Sequence, residues 1–107
     1  MEKRRVVVTG MGVVSPIGNT VEEAWNNASN GISGIDYLQS FDTTNLPVKF
    51  GGEVRNFDPV ALFGRREARR MDRLSHMAME AARQAIEDSG LQVTDENRYE
   101  IGAIIGS

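Results

Sequence analysis

Cysteine is missing from this 107-residue chain. Its absence removes a disulfide framework, a thiolate metal site and a cysteine nucleophile from within these residues. Histidine is nearly as scarce: His76 stands alone, so no histidine-rich metal site and no Cys–His pair can be assembled. Long apolar runs are also lacking. Val6-Val7-Val8, behind Glu2-Lys3-Arg4-Arg5, is far too short for a signal h-region or a membrane span, and no other segment comes closer. The expectation is therefore a cytoplasmic protein with no membrane partner. Excess positive charge is absent as well. The net charge is −3, which argues against a nucleic-acid binder. No metal site and no cofactor are expected.

The charge that is present is unevenly placed. Gly64 to Leu74 holds five arginines against Glu67 and Asp72, a local +3 on a chain whose remaining residues sum to −6. A basic patch on an acidic protein points to a specific acidic partner more than to a general polyanion.

Hydrophobic residues at 40% and charged residues at 25% describe one ordinary globular domain with a modest core. Arg5–Thr9 reads as a buried strand broken by Gly10-Met11-Gly12. Thr20-Val21-Glu22-Glu23 has the form of a capping box. Val21, Ala24, Trp25 and Ala28 behind it form one apolar helical stripe, which Asn30-Gly31 closes. Gly31 to Gly64 predicts a long irregular excursion, with short strands near Val48–Phe50 and Glu53–Val54. Asp58-Pro59 begins a single helical turn that Gly64 ends. Arg65–Ser89, free of glycine and proline, predicts one long helix with Leu74, Ala78, Ala81 and Ala85 on its buried face and Gly90 at its end. Ile101–Ile105 predicts a second buried strand. Strand, helix, irregular excursion, long helix, strand is an α/β pattern with parallel strands. Two core strands make a poor sheet, and the whole reads as an interrupted protein that does not fold stably alone.

Each candidate motif has a plainer reading beside it. A dinucleotide fingerprint built on Gly10-Met11-Gly12 would need a third glycine where Ser15 stands, and the helix at Thr20 begins too late to meet a pyrophosphate. The glycines read as a tight strand-to-loop turn. His76 falls four residues after Asp72 and reads as a partly exposed, paired histidine. Trp25 reads as core. Met71, Met77 and Met79 share no face and read as gap fillers. The arginines are less ordinary. On a continuous helix Arg66, Arg69, Arg70 and Arg73 fall at i, i+3, i+4 and i+7, a single stripe. Only Asp72 is placed to neutralise one of them, Arg69. A solvated face without a partner is the plainer alternative.

Val6-Val7-Val8-Thr9-Gly10-Met11-Gly12-Val13-Val14-Ser15-Pro16-Ile17-Gly18-Asn19-Thr20 resembles the opening of the β-ketoacyl-acyl-carrier-protein synthases, most closely the type II enzyme. Asn30-Gly31-Ile32-Ser33-Gly34-Ile35, Arg69-Arg70-Met71-Asp72, Asp88-Ser89-Gly90-Leu91 and Ile101-Gly102-Ala103-Ile104-Ile105-Gly106-Ser107 fit the same family in order. The resemblance implies a thiolase-like fold of two similar halves, assembled as a homodimer. Residues 1–107 would be the N-terminal part of the first half, with the remainder of the enzyme missing. It implies elongation in fatty-acid synthesis. A cysteine takes the acyl chain from acyl carrier protein. Two histidines then help decarboxylate the malonyl-carrier, whose carbanion attacks the acyl-cysteine. This chain holds no such cysteine, and its one histidine lies in the wrong context, so no catalytic residue is expected here and no condensing activity from these residues alone. In the family, basic residues on the matching helix receive the carrier protein, a role that falls on Arg66, Arg69 and Arg70. A non-catalytic carrier-docking or scaffold module is the competing reading, and a related polyketide enzyme is not separated from a fatty-acid one.

Overall fold

Local hydrogen bonds and positive-φ glycines set most of the helix ends in the computed structural model; the structure describes residues 2–107. Helix α1, Val21–Ser29, starts because the Thr20 hydroxyl accepts a bond from the Glu23 amide at 3.1 Å, one half of the expected capping box. It ends at Asn30, after which Gly31 turns with φ 69°. Helix α2, Pro59–Phe63, starts where the Asp58 carboxylate accepts from the amides of Val60 and Ala61, with proline in the first turn. Gly64, at φ 82°, closes it and opens α3, Arg65–Arg70. Helix α4, Arg73–Ser89, stops at Gly90 in the left-handed conformation. A 3-10 turn follows at Arg98–Glu100.

The long helix expected over Arg65–Ser89 is two helices. Met71 (ψ 149°) and Asp72 (ψ 176°) are extended and break it. The cause is the Asp72 side chain, whose Oδ1 accepts from the Ser75 amide at 2.9 Å and so caps a new helix. Asp72 is thereby spent as a cap and does not pair with Arg69. The face expected of α4 is also only partly covered. Ala78, Ala81 and Ala85 are half-buried, while Leu74 remains 45% exposed. The segment Gly10–Val13, which crosses this face, meets α4 only from Ala81 onward.

Neither expected core strand forms a ladder. Val6, Val7 and Val8 are exposed, as are Ile104 and Ile105. A strand becomes one only by pairing, and among the described residues neither segment has a neighbour to pair with. The sheet present is a small antiparallel pair instead, β1 (Ile35–Tyr37) with β2 (Phe50–Gly52), in register Ile35 to Gly52 and Tyr37 to Phe50. Residues 38–49 loop between the two strands as an irregular excursion. Glu53 ties its start down by accepting from the amides of Gln39 and Ser40. Arg55 reaches the Asp36 carboxylate at 3.4 Å and the Tyr37 carbonyl at 3.2 Å.

Trp25, read as core, is 73% exposed. It lines a broad open trough of about 1770 Å³ with Gly10, Val13, Val21 and Ala85, and none of the described residues fills it. The side chains buried here are few: Ala68 and Glu80.

Candidate functional site

Helix α3 is a charged element by composition, Arg65-Arg66-Glu67-Ala68-Arg69-Arg70. Its one buried residue is Ala68, so the helix rests on its alanine and turns its arginines outward. Arg66, Arg69 and Arg70 are all exposed, on one short helix, as their spacing implies. The local counter-charge differs from expectation. Glu67 reaches Arg70 at 3.8 Å, an exposed pair that screening weakens. Arg66 and Arg69 have no ion-pair partner among the described residues.

Arg73 leaves the stripe. It sits beyond the break, donates to the Val54 carbonyl at 3.1 Å and lies over the Phe57 ring at 5.3 Å. That arginine is structural: it ties the start of α4 to the segment after β2. The patch is therefore three arginines on α3 with Arg65 beside them, not a four-arginine stripe along one helix.

His76 is partly exposed and paired, as read, but its partner is not Asp72. It is half-buried, and its Nε2 donates to the Ala68 carbonyl at 2.7 Å, with the ring stacked 6.2 Å from Phe63. Asp72 makes no hydrogen bond to the ring; it accepts from the Ser75 amide, which holds the Asp72 carboxyl below its ordinary value. Sequence spacing pairs residues 72 and 76 on one helix; the cap rotates Asp72 away and leaves the ring to α3.

A polar network in α4 was not visible in the sequence. Glu80 is 5% exposed, yet both its oxygens accept from Arg83, at 2.9 and 2.7 Å. These bonds hold its carboxyl below the ordinary value despite burial. Arg83 also binds Glu87 at 2.6 Å. Gln84 spans the gap to the N-terminal segment, accepting from the Val13 amide at 3.1 Å and donating to the Asn19 carbonyl at 2.7 Å. Asp88, one turn on, accepts from the Met11 amide at 3.0 Å. The spacing of Gln84 and Asp88 along α4 matches that of alternate amides along the segment it meets.

Chemically, this arrangement is an exposed cationic surface with a hydrogen-bonded scaffold behind it. No group of three or more His, Asp or Glu side chains that could hold a metal gathers among the described residues. Among the described residues no helix is long and apolar enough to cross a membrane. The trough beneath Trp25 shares no lining residue with α3.

Fold and sequence together define the class, that of the ketosynthase fold. A solved structure, the ishigamide ketosynthase/chain length factor, superposes with a TM-score of 0.76 at 37% identity, over 85% of this chain and 23% of that one. The chain belongs to the β-ketoacyl synthase family, whose N-terminal domain it matches over residues 3–107. It is 50% identical over its full length to 3-oxoacyl-[acyl-carrier-protein] synthase 2 of Vibrio cholerae, covering 26% of that protein. The corresponding protein of Synechocystis is 45% identical and that of Staphylococcus aureus strain N315 is 44% identical, each again covered over 26%. The chain thus spans about a quarter of the length of these relatives.

Proposed function

We propose that this chain is the N-terminal part of the first half of a thiolase-like 3-oxoacyl-acyl-carrier-protein synthase. The enzyme is a cytoplasmic homodimer that elongates acyl chains in fatty-acid synthesis. The reaction begins when a cysteine thiolate attacks the acyl-carrier thioester and the carrier thiol leaves. Two histidines then assist loss of CO₂ from malonyl-carrier. The resulting carbanion attacks the acyl-cysteine carbonyl, and the cysteine departs as the 3-oxoacyl-carrier forms. The cysteine is not in this chain, and His76, held between Phe63 and Ala68, is not free for that work. The part assigned to these residues is reception of the carrier. Relatives matched along the whole chain carry the name of the synthase, which favours the enzyme over a stand-alone scaffold module.

The observation that carries the reading is α3 itself. Arg66 and Arg69 project without counter-charges, and Arg70 has only the exposed Glu67. Acyl carrier proteins of this pathway are acidic. Guanidinium groups suit them because the planar fork meets carboxylates or phosphate in two-point fashion and stays charged. Reversing Arg66, Arg69 and Arg70 to glutamate in the full-length enzyme should lower kcat/KM on carrier-bound substrate by roughly tenfold or more, chiefly through association rate. The loss should shrink at high salt, since screening acts over about 8 Å at physiological strength. A small acyl thioester lacking the carrier should react almost unchanged. Equal loss on both substrates would make the arginines supports of the fold, and no loss on either would make them a solvated face.

A further inference from the structure

We propose that His76 is the pin that fixes α3, and that it is thereby a positioning residue for carrier docking; this rests on reading α3 as the docking surface. The need for a pin follows from the helix. Six residues are too few for a helix to hold itself together in water. Gly64 caps it without a side chain, and Met71 leaves it in extended geometry, so neither end has a side-chain cap. Its last carbonyls have no partners within the helix. One of them, Ala68, accepts the 2.7 Å bond from His76 Nε2. Among the described residues this is the one side-chain hydrogen bond that reaches α3 from outside it.

The surroundings of the ring fit that task. A carbonyl only accepts, so Nε2 carries the hydrogen. Nδ1 is buried and has no partner among the described residues, so the imidazole acts from one side alone. Phe63 of α2 stacks on the ring at 25° and holds its plane. Arg73, three residues earlier, anchors the same turn of α4 to Val54 and Phe57. A continuous path runs from the segment after β2, through Arg73 and the first turn of α4, to His76 and then the backbone of α3. The arginines stand on that backbone. Their aim is therefore set by a histidine that touches neither carrier nor substrate.

The test uses the full-length enzyme. His76→Phe keeps the ring against Phe63 and removes the donor. His76→Gln places an amide N–H near the position of Nε2. Loss of one neutral hydrogen bond shifts an equilibrium by about two- to tenfold. His76→Phe should therefore raise KM for carrier-bound substrate by about that factor, leaving kcat and the reaction of a free acyl thioester unchanged, and His76→Gln should restore KM to within about twofold. Adding His76→Phe to the triple arginine reversal should bring no further loss, because both act through one surface. Amide hydrogen exchange in residues 65–70 should quicken in His76→Phe and recover in His76→Gln. Unchanged KM with unchanged exchange overturns the proposal, as does equal loss on both substrates. The two readings fail separately: if the arginine reversal costs nothing, docking at α3 is wrong, while exchange in residues 65–70 still decides whether His76 pins the helix.

Discussion

Gly12 illustrates how much a single hydrogen side chain can decide. A methyl group there would stand 2.8 Å from the Gln84 Cβ and 2.9 Å from the Ala85 amide, and nearer still to the Ala81 carbonyl. Gly10 is similarly placed, 2.6 Å from the Ser89 amide. The neighbours are helix backbone, which yields little. Two glycines thus let the N-terminal segment lie against the alanine face of α4, close enough for Gln84 and Asp88 to accept its amides. Gly12→Ala should destabilise the full-length protein by about 1–3 kcal/mol, the cost of overpacking against an unyielding partner. Thermal unfolding checks it, with a fall in Tm of a few degrees expected and an unmoved Tm counting against the close packing. The glycine pair suggests a tight turn, yet residues 10–14 form none; its packing role was not legible because the partner helix lies about seventy residues away.

At the scale of elements, helix boundaries were legible wherever a local signal sets them. Thr20, Asp58, Gly64 and Gly90 each act through bonds within one turn or through a positive φ, and all four mark the ends that their residue types imply. The break at Met71–Asp72 escaped because the residues on both sides favour helix. Its one signal was an aspartate three residues before Ser75, which a continuous helix also tolerates. Helix α4 carries a further consequence. Glu80 is held ionised chiefly by Arg83, against the cost of burial, so its folded pKa lies below the ordinary 4.5. A depressed carboxylate stabilises the fold fully above its unfolded pKa and loses that contribution as pH falls through the folded value. Stability should therefore decline below about pH 4.5 in part through this group. Glu80→Gln should flatten that acid decline while lowering stability at neutral pH, which denaturant titrations of the full-length enzyme at pH 7 and pH 3.5 would compare. An unchanged pH dependence would show that the pair is energetically silent.

The molecule as a whole is far from closed. Its radius of gyration is 17.4 Å, against about 13 Å for a compact domain of this length. Its accessible surface is 9115 Å², against about 5,900 Å² for a folded protein of this mass. The excess is apolar where it counts: Val6 at 93%, Trp25 at 73%, Tyr99 at 88% and Ile104 at 99% exposure. Sequence patterning marked Val6–Val8 and Ile101–Ile105 as material for a core, and the described residues contain no core to receive them. Pattern reports what a segment is made to pack against, while a ladder reports what is present to pair with it. Apolar surface left in water forfeits roughly 25 cal/mol per Å², and the backbone entropy of ordering each residue is still lost. The isolated 107-residue polypeptide should therefore populate partly ordered, aggregation-prone states, with the unpaired valines as the sticking edge. Calorimetry should record no cooperative transition, and a hydrophobic dye should bind strongly at neutral pH. A monomer with one sharp, reversible unfolding transition would mean that α1, α4 and the segment between Gly10 and Val13 form a self-sufficient core after all.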